Sequence, residues 1–178
     1  MSAPARDPGV LAATVRLVAF DVDGVMTNGQ LILGPSGEEL KVFHVRDGHG
    51  LVMLRESGLD VAVITGRKSP VVAERMAELG IQHVYQGQRD KLVALAELCE
   101  RLGVTPEETC YMGDDLPDLP VLRRVGLPTT VADGHPLCQA AALWRASAPG
   151  GFGAVRELCE FILAAQGKLA AQFAAHGG

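Results

Sequence analysis

The chain has 178 residues, the length of about one domain at roughly 150 residues per domain. Sixteen Lys and Arg against 21 Asp and Glu leave a net charge of −5. This argues against a nucleic-acid binder, whose contact face is basic, and against a membrane-surface protein. A content of 48% hydrophobic and 21% charged residues fits an ordinary globular domain, and 4% aromatics is too little for a base-stacking platform.

Residues 1–14 read as a flexible leader. They lack the long apolar run of a signal peptide or anchor, so the cytoplasm is the expected location. Residues 15–20, VRLVAF, form an apolar run ending at an acidic turn, the pattern of a strand buried on both faces. Segments 30–33 and 39–43 flank GPSGE and predict a β-hairpin. Residues 50–57 fit a short helix stopped at Gly58, and DVAVI at 60–64 fits a second buried strand. Ser69-Pro70 opens a helix running to Leu79. A short strand at 82–85 follows, then a helix capped by Asp90 and ended by Gly103. Thr105–Glu108 has capping-box spacing. Further on come a strand at 109–112, a helix at 117–125, a strand at 128–131, a helix at 136–142 and a long amphipathic helix at 153–166.

Strands alternating with helices predict an α/β fold with a central parallel sheet. The expected division is a single domain over 15–168, a protruding hairpin at about 29–43, and a C-terminal tail at 169–178. Cys99, Cys110, Cys138 and Cys159 have no CxxC spacing and read as reduced core thiols.

In parallel sheets, ligands bind beyond the carboxyl ends of the strands. The residues placed there are Asp21-Val22-Asp23-Gly24, Thr65-Gly66-Arg67, Lys91 at a helix start, and Gly113-Asp114-Asp115 with Asp118. Phosphoryl transfer fits this set. A dianionic phosphate monoester repels a carboxylate, so the site needs a divalent cation and fixed positive donors. Asp21 and Asp114 can supply carboxylates to Mg²⁺, a cation that takes oxygen ligands. Thr65, Lys91 and backbone N–H groups can hold phosphate. Asp23 is near enough to protonate the leaving alkoxide and later activate water. Taken singly, each motif has a bland alternative, such as a solvated acidic turn or a helix-start lysine. Their joint order is the signal.

DVDGVMT at 21–27, ITGR at 64–67, Lys91 and GDDLPD at 113–118 resemble the four motifs of haloacid dehalogenase (HAD) superfamily phosphatases. That resemblance implies a HAD-like Rossmannoid three-layer sandwich. It implies Asp21 as nucleophile through an aspartyl-phosphate, and Asp23 as general acid/base that also lends Mg²⁺ its backbone carbonyl. Thr65 and Lys91 would bind phosphate, Asp114 would ligate the metal, and Asp115 and Asp118 would support the site from behind. FHVRDGHG at 43–50, YQGQRDKL at 85–92, ADGHP at 132–136 and GGFGAVRE at 150–157 are similar to the 3-deoxy-D-manno-octulosonate (KDO) 8-phosphate phosphatase family. This implies a capless homotetramer acting on a sugar-acid phosphate in lipopolysaccharide precursor synthesis. Within it, the hairpin packs between subunits and the tail, from about Gly150, covers a neighbour's site. Arg46, Asp47, Gly48, Gly66, Arg67, Arg75, Gly150 and Gly151 are then the candidates for contact with substrate.

The gaps 27–65 and 91–114 hold no insertion large enough for a cap domain. Leu31, Leu33, Leu40 and Val42 make an apolar hairpin too small for its own core, so packing against another subunit is expected. Two alternatives remain at this point. One keeps the chemistry with a related substrate such as KDN 9-phosphate, and the other is a non-catalytic tetramerisation domain.

Overall fold

The computed structural model describes residues 6–177; the first five residues of the expected leader at 1–14 and the final glycine of the expected tail lie outside them. Six parallel strands form the central sheet in the order β5-β4-β1-β6-β7-β8. They are β1 (Leu17–Phe20), β4 (Asp60–Ile64), β5 (His83–Tyr85), β6 (Thr109–Met112), β7 (Leu127–Thr130) and β8 (Trp144–Arg145). β1 lies at the centre, with β4 and β6 on either side in register Phe20↔Val63 and Phe20↔Met112. The chain order reverses across β1, which opens a crevice at the carboxyl ends of β1, β4 and β6.

The sheet is buried on both faces, and its strands show why. In β1, Val18 and Phe20 enter one apolar cluster while Leu17 and Ala19 enter the other, as the two-residue period of a strand requires. The first cluster is closed by α1 (Pro8–Thr14), α2 (Val45–Glu56), α3 (Pro70–Glu78) and α7 (Ala154–Ala165); the second by α4 (Lys91–Leu102), α5 (Leu119–Leu122) and α6 (Pro136–Ala141). This is the expected three-layer α/β sandwich. All four cysteines are free and buried, as expected for core thiols. Among the described residues, no helix is long and apolar enough to cross a membrane.

Several boundaries differ from the sequence reading. The segment taken as leader contains α1: the Asp7 carboxylate caps it by accepting from Gly9 N at 2.8 Å, Pro8 starts it, and Ala12 is buried. α2 begins five residues before the expected 50. Glycines at 48 and 50 lower helix propensity, but at Gly50 an added Cβ would lie 3.1 Å from Cys159 Sγ and 3.3 Å from Arg156 Cα. Close packing of α2 on α7 therefore favours glycine in mid-helix. The expected helix at 117–125 divides into a 3-10 turn at Leu116–Asp118 and the short α5. The expected tail holds α8 (Leu169–Ala174), tied to the end of α2 by Lys168 Nζ donating to Ser57 O at 3.0 Å and Gln172 Nε2 to Ser57 Oγ at 3.0 Å. The hairpin is present as β2 (Ile32–Leu33) and β3 (Glu39–Leu40), antiparallel and separate from the main sheet. Its apolar side chains stand in solvent, with Leu31, Leu33, Leu40 and Val42 at 47%, 65%, 57% and 65% exposed.

Candidate active site

The crevice beyond β1 is a cleft of ≈ 380 Å³ lined by Asp21, Asp23, Thr65, Gly66, Arg67, Lys91, Asp114, Asp115 and Asp118. The sequence reading had assigned all nine to the site. Asp21 is the first residue past β1, and its N–H donates to Met112 O at 3.0 Å, which continues the β1–β6 ladder. Thr65 follows β4 and is fixed in the same way, through Thr65 N to Tyr85 O at 2.9 Å. Lys91 opens α4 just after the Asp90 cap, whose carboxylate accepts from Leu92 N and Val93 N. Strand ends and one helix start thus bring together residues as far apart in sequence as Asp21 and Asp118.

The inner wall is a closed charge network. Lys91 Nζ lies 2.9 Å from Asp21 Oδ2 and 2.7 Å from Asp118 Oδ1. Asp118 is fully buried, and each of its oxygens is engaged twice. Oδ1 takes Lys91 and the Tyr111 hydroxyl at 2.6 Å; Oδ2 takes Asp114 N at 3.0 Å and Asp115 N at 3.2 Å. Asp118 therefore pins both the ammonium and the loop that carries Asp114. Burial opposes the charge on Lys91, but the Asp21 and Asp118 carboxylates hold its ammonium above the ordinary lysine range. Asp21 is pushed up to about 6 by burial and then by Asp118, with Lys91 pulling the other way. Asp114 is pushed up to about 8, first by burial and then by Asp21 and Asp118.

These raised values mark an unbalanced negative charge, and the geometry shows where a cation fits. Oxygens of Asp21, Asp114 and Asp118 come within 4.8 Å of one another. Asp21 Oδ1 and Asp114 Oδ1 are buried without a hydrogen-bond partner, and a buried acceptor without a partner is costly. A hard divalent ion such as Mg²⁺ takes such oxygens at short range. Asp21 and Asp114 offer free oxygens, while both oxygens of Asp118 are already occupied.

The outer wall is built differently. The Asp23 carboxylate forms an ion pair with Lys41, which follows β3, and Arg67 Nε lies 3.8 Å from its other oxygen. Glu39 of β3 binds Arg67 at 2.7 Å and lies 3.5 Å from Lys41. The sequence reading did not single out Lys41, Glu39 or Tyr111. A lysine and a glutamate in a hairpin carry no distinguishing pattern, and Tyr111 read as an ordinary strand residue.

Six candidate substrate contacts do not line this cleft. Arg46 is exposed beside Phe152 and Arg156 in a separate surface recess. Asp47 is only 1% exposed and accepts from Gly153 N at 3.2 Å and Arg156 N at 2.9 Å, fastening the start of α7 to α2. Gly48 packs beneath the Arg75 guanidinium, and Arg75 pairs with Glu78 at 2.7 Å. Gly150 and Gly151 lie against the loop behind Asp23. Gly151 N donates to Val25 O at 3.0 Å, and an added Cβ at Gly150 would collide with Gly24 O. Residues 150–153 brace their own chain's Asp21–Asn28 loop, and the buried face of α7 holds residues 154–165 in place.

Comparison with known proteins gives the family. The sequence profile of haloacid dehalogenase-like hydrolases matches residues 38–126, a span that includes Thr65, Lys91, Asp114 and Asp118 but starts after Asp21 and Asp23. The 3-deoxy-D-manno-octulosonate 8-phosphate phosphatase of Escherichia coli K12 is 51% identical over 158 residues, covering 89% of this chain and 84% of that protein. The crystal structure of the Yersinia pestis enzyme of that name superposes with a TM-score of 0.91 at 51% identity, over 92% of this chain and 89% of the other. That of the Moraxella catarrhalis enzyme, in complex with magnesium, phosphate and KDO, gives 0.93 at 44% identity over 95% and 97%. With the four motif groups converging on one cleft and likeness of this extent along the chain, the protein belongs to the haloacid dehalogenase-like hydrolases, in the family of the 3-deoxy-D-manno-octulosonate 8-phosphate phosphatases.

Proposed function

We propose that this chain hydrolyses the phosphate monoester of 3-deoxy-D-manno-octulosonate 8-phosphate, releasing KDO and inorganic phosphate for lipopolysaccharide precursor synthesis. The observation that carries the chemistry is the pair of partnerless buried oxygens on Asp21 and Asp114 beside the Lys91 ammonium. The substrate rests on relatives that are similar to this chain over most of its length.

Asp21 attacks phosphorus and forms the aspartyl-phosphate, while Asp23 delivers a proton to the departing sugar oxygen. Thr65 and Lys91 hold the phosphate oxygens, with Asp118 and Tyr111 fixing Lys91. Asp23 then takes a proton from the water that attacks the phosphorus, and Asp21 leaves as carboxylate. Mg²⁺ held by Asp21, Asp114 and the Asp23 carbonyl would offset the repulsion between carboxylate and phosphate dianion. Arg67 at the cleft mouth would meet the sugar acid.

The cleft is open, and an enclosed site serves such chemistry better. The exposed apolar hairpin supports a homotetramer in which hairpins pack between subunits. A neighbour's tail would then cover the cleft. Phosphate release from a panel of sugar-acid phosphates, with Mg²⁺ and with excess chelator, tests the function. The eight-carbon ester is expected to be preferred and turnover to stop in chelator. Turnover that persists in chelator, or a preference for the nine-carbon KDN ester, overturns the corresponding part. The mass of the native particle checks the assembly.

A further inference from the structure

Lys41 is the anomaly of the hairpin. Its neighbours Leu40 and Val42 point into solvent, yet the Lys41 side chain is 1% exposed. A buried ammonium is tolerated only when it is paired, and the partners of this one are Asp23, in a salt bridge, and Glu39 at 3.5 Å. Arg67 binds the same two carboxylates from the other side, at 2.7 Å to Glu39 and 3.8 Å to Asp23. The Asp23 side chain is thus gripped by a residue that belongs to the protruding hairpin and not to the sheet. Charge-assisted contacts of this kind fix the orientation of a carboxylate.

The geometry points to Lys41 as a positioning residue that holds the Asp23 carboxylate in place for hydrolysis of the aspartyl-phosphate, so that the base of the hairpin is part of the catalytic apparatus. The inference rests on the roles given to Asp21 and Asp23 above. In the step concerned, a water oxygen bonds to phosphorus, the bond from phosphorus to the Asp21 oxygen breaks with its electron pair returning to that carboxylate, and the water proton passes to Asp23. Lys41 fixes the orientation of the group that accepts this proton. Hydrolysis is therefore the step that depends most on Lys41. With an ester whose leaving group needs little protonation, formation of the intermediate depends chiefly on Asp21, Lys91 and Thr65.

The test is transient kinetics of the full chain with Mg²⁺ and 4-nitrophenyl phosphate, an ester whose leaving group needs little protonation. Lys41→Met is expected to release the first equivalent of 4-nitrophenol within about fivefold of the wild-type rate. Its steady-state kcat should fall by about ten- to a hundredfold. KM should fall with kcat, and acid-quenched protein should carry a phosphoryl group on Asp21 at most sites. Lys41→Arg, which keeps the charge, should recover most of the kcat. Lys41→Gln supplies the same readout should the methionine variant fold poorly. A first turnover and a steady state that fall together, with no phosphoenzyme build-up, would assign Lys41 a merely structural role and overturn the proposal, as would unchanged kinetics. Failure of the underlying reading looks different: Asp21→Asn would stay active and no variant would trap a phosphoenzyme, which removes the proposal along with its basis.

Discussion

The two walls of the cleft differ in how they are made. The inner wall, Asp21, Lys91, Tyr111 and Asp118, is buried, set on the central strands, a helix start and a 3-10 turn, and tied by contacts of 2.6–2.9 Å. The outer wall, Asp23, Arg67, Glu39 and Lys41, draws on a loop and a hairpin, and Arg67 is about half exposed. Charges in a water-excluded wall interact more strongly than those near solvent. The inner wall is therefore suited to holding phosphate charge without rearrangement, and the outer wall to moving a proton and admitting substrate. The division also follows stability. Sheet residues share the global stability of the core, whereas a two-stranded hairpin has little stability of its own.

The sharpest way to break this comparison is to remove the inner wall's nucleophile. Asp21→Asn is expected to lower phosphatase activity by on the order of 10³-fold or more. The protein should stay folded, because the amide relieves a buried carboxyl already pushed up to about 6 by burial and Asp118. In chelator its thermal midpoint should not fall below that of wild type. Activity within tenfold of wild type in a folded variant would remove Asp21 from the chemistry.

A smaller effect is expected behind the outer wall, where Gly150 and Gly151 brace the loop that carries Asp23. Gly150→Val would drive a side chain into Gly24 O and the neighbouring Thr27 O. Displacement of the loop by even about 1 Å can cost roughly 10²-fold in rate. The brace is intramolecular, so mixing this variant with Asp21→Asn chains should restore nothing beyond the sum of the two. Recovery in mixed assemblies, with exchange confirmed by mass, would show that residues from Gly150 serve a neighbour after all.

The inner wall was legible in the sequence because parallel strands deliver their next residues to one edge. Once the strands at 60–64 and 109–112 are read correctly, Thr65 and Asp114 follow without further information. The outer wall was half legible. Asp23 and Arg67 sit in motifs, but Lys41 and Glu39 reach the site only through the fold of a hairpin whose docking no periodicity reports. Long-range placement explains the other misses. Asp47 was a candidate substrate contact because it lies in the FHVRDGHG segment that follows the hairpin. Its carboxylate turns instead to backbone amides more than 100 residues away. The helix at 8–14 carried a readable signal, Asp7 followed by Pro8, which the polar and alanine-rich surroundings masked.

The mildest prediction separates the walls by pH. Asp114 belongs to the cation-ready inner side and is held at about 8 by burial and by Asp21 and Asp118. Below that value its carboxyl keeps a proton that Mg²⁺ must displace. The apparent Mg²⁺ affinity is therefore expected to rise with pH and level off above about 8. Its slope between pH 6 and 8 should approach one proton, or roughly tenfold per pH unit at most. Stability has the matching sign. A carboxyl raised in the folded state binds more protons there than in the unfolded chain, so the metal-free protein loses stability as pH climbs from about 4 to 8. Saturating Mg²⁺ should remove most of that loss, so the Mg²⁺-induced rise in thermal midpoint should be larger at pH 8 than at pH 6. The Asp114→Asn variant has no proton to displace at this position and should show a weaker, flatter dependence. An equal Mg²⁺ shift at both pH values in wild type would mean that Asp114 is ionised throughout and that the inner wall is balanced without a cation.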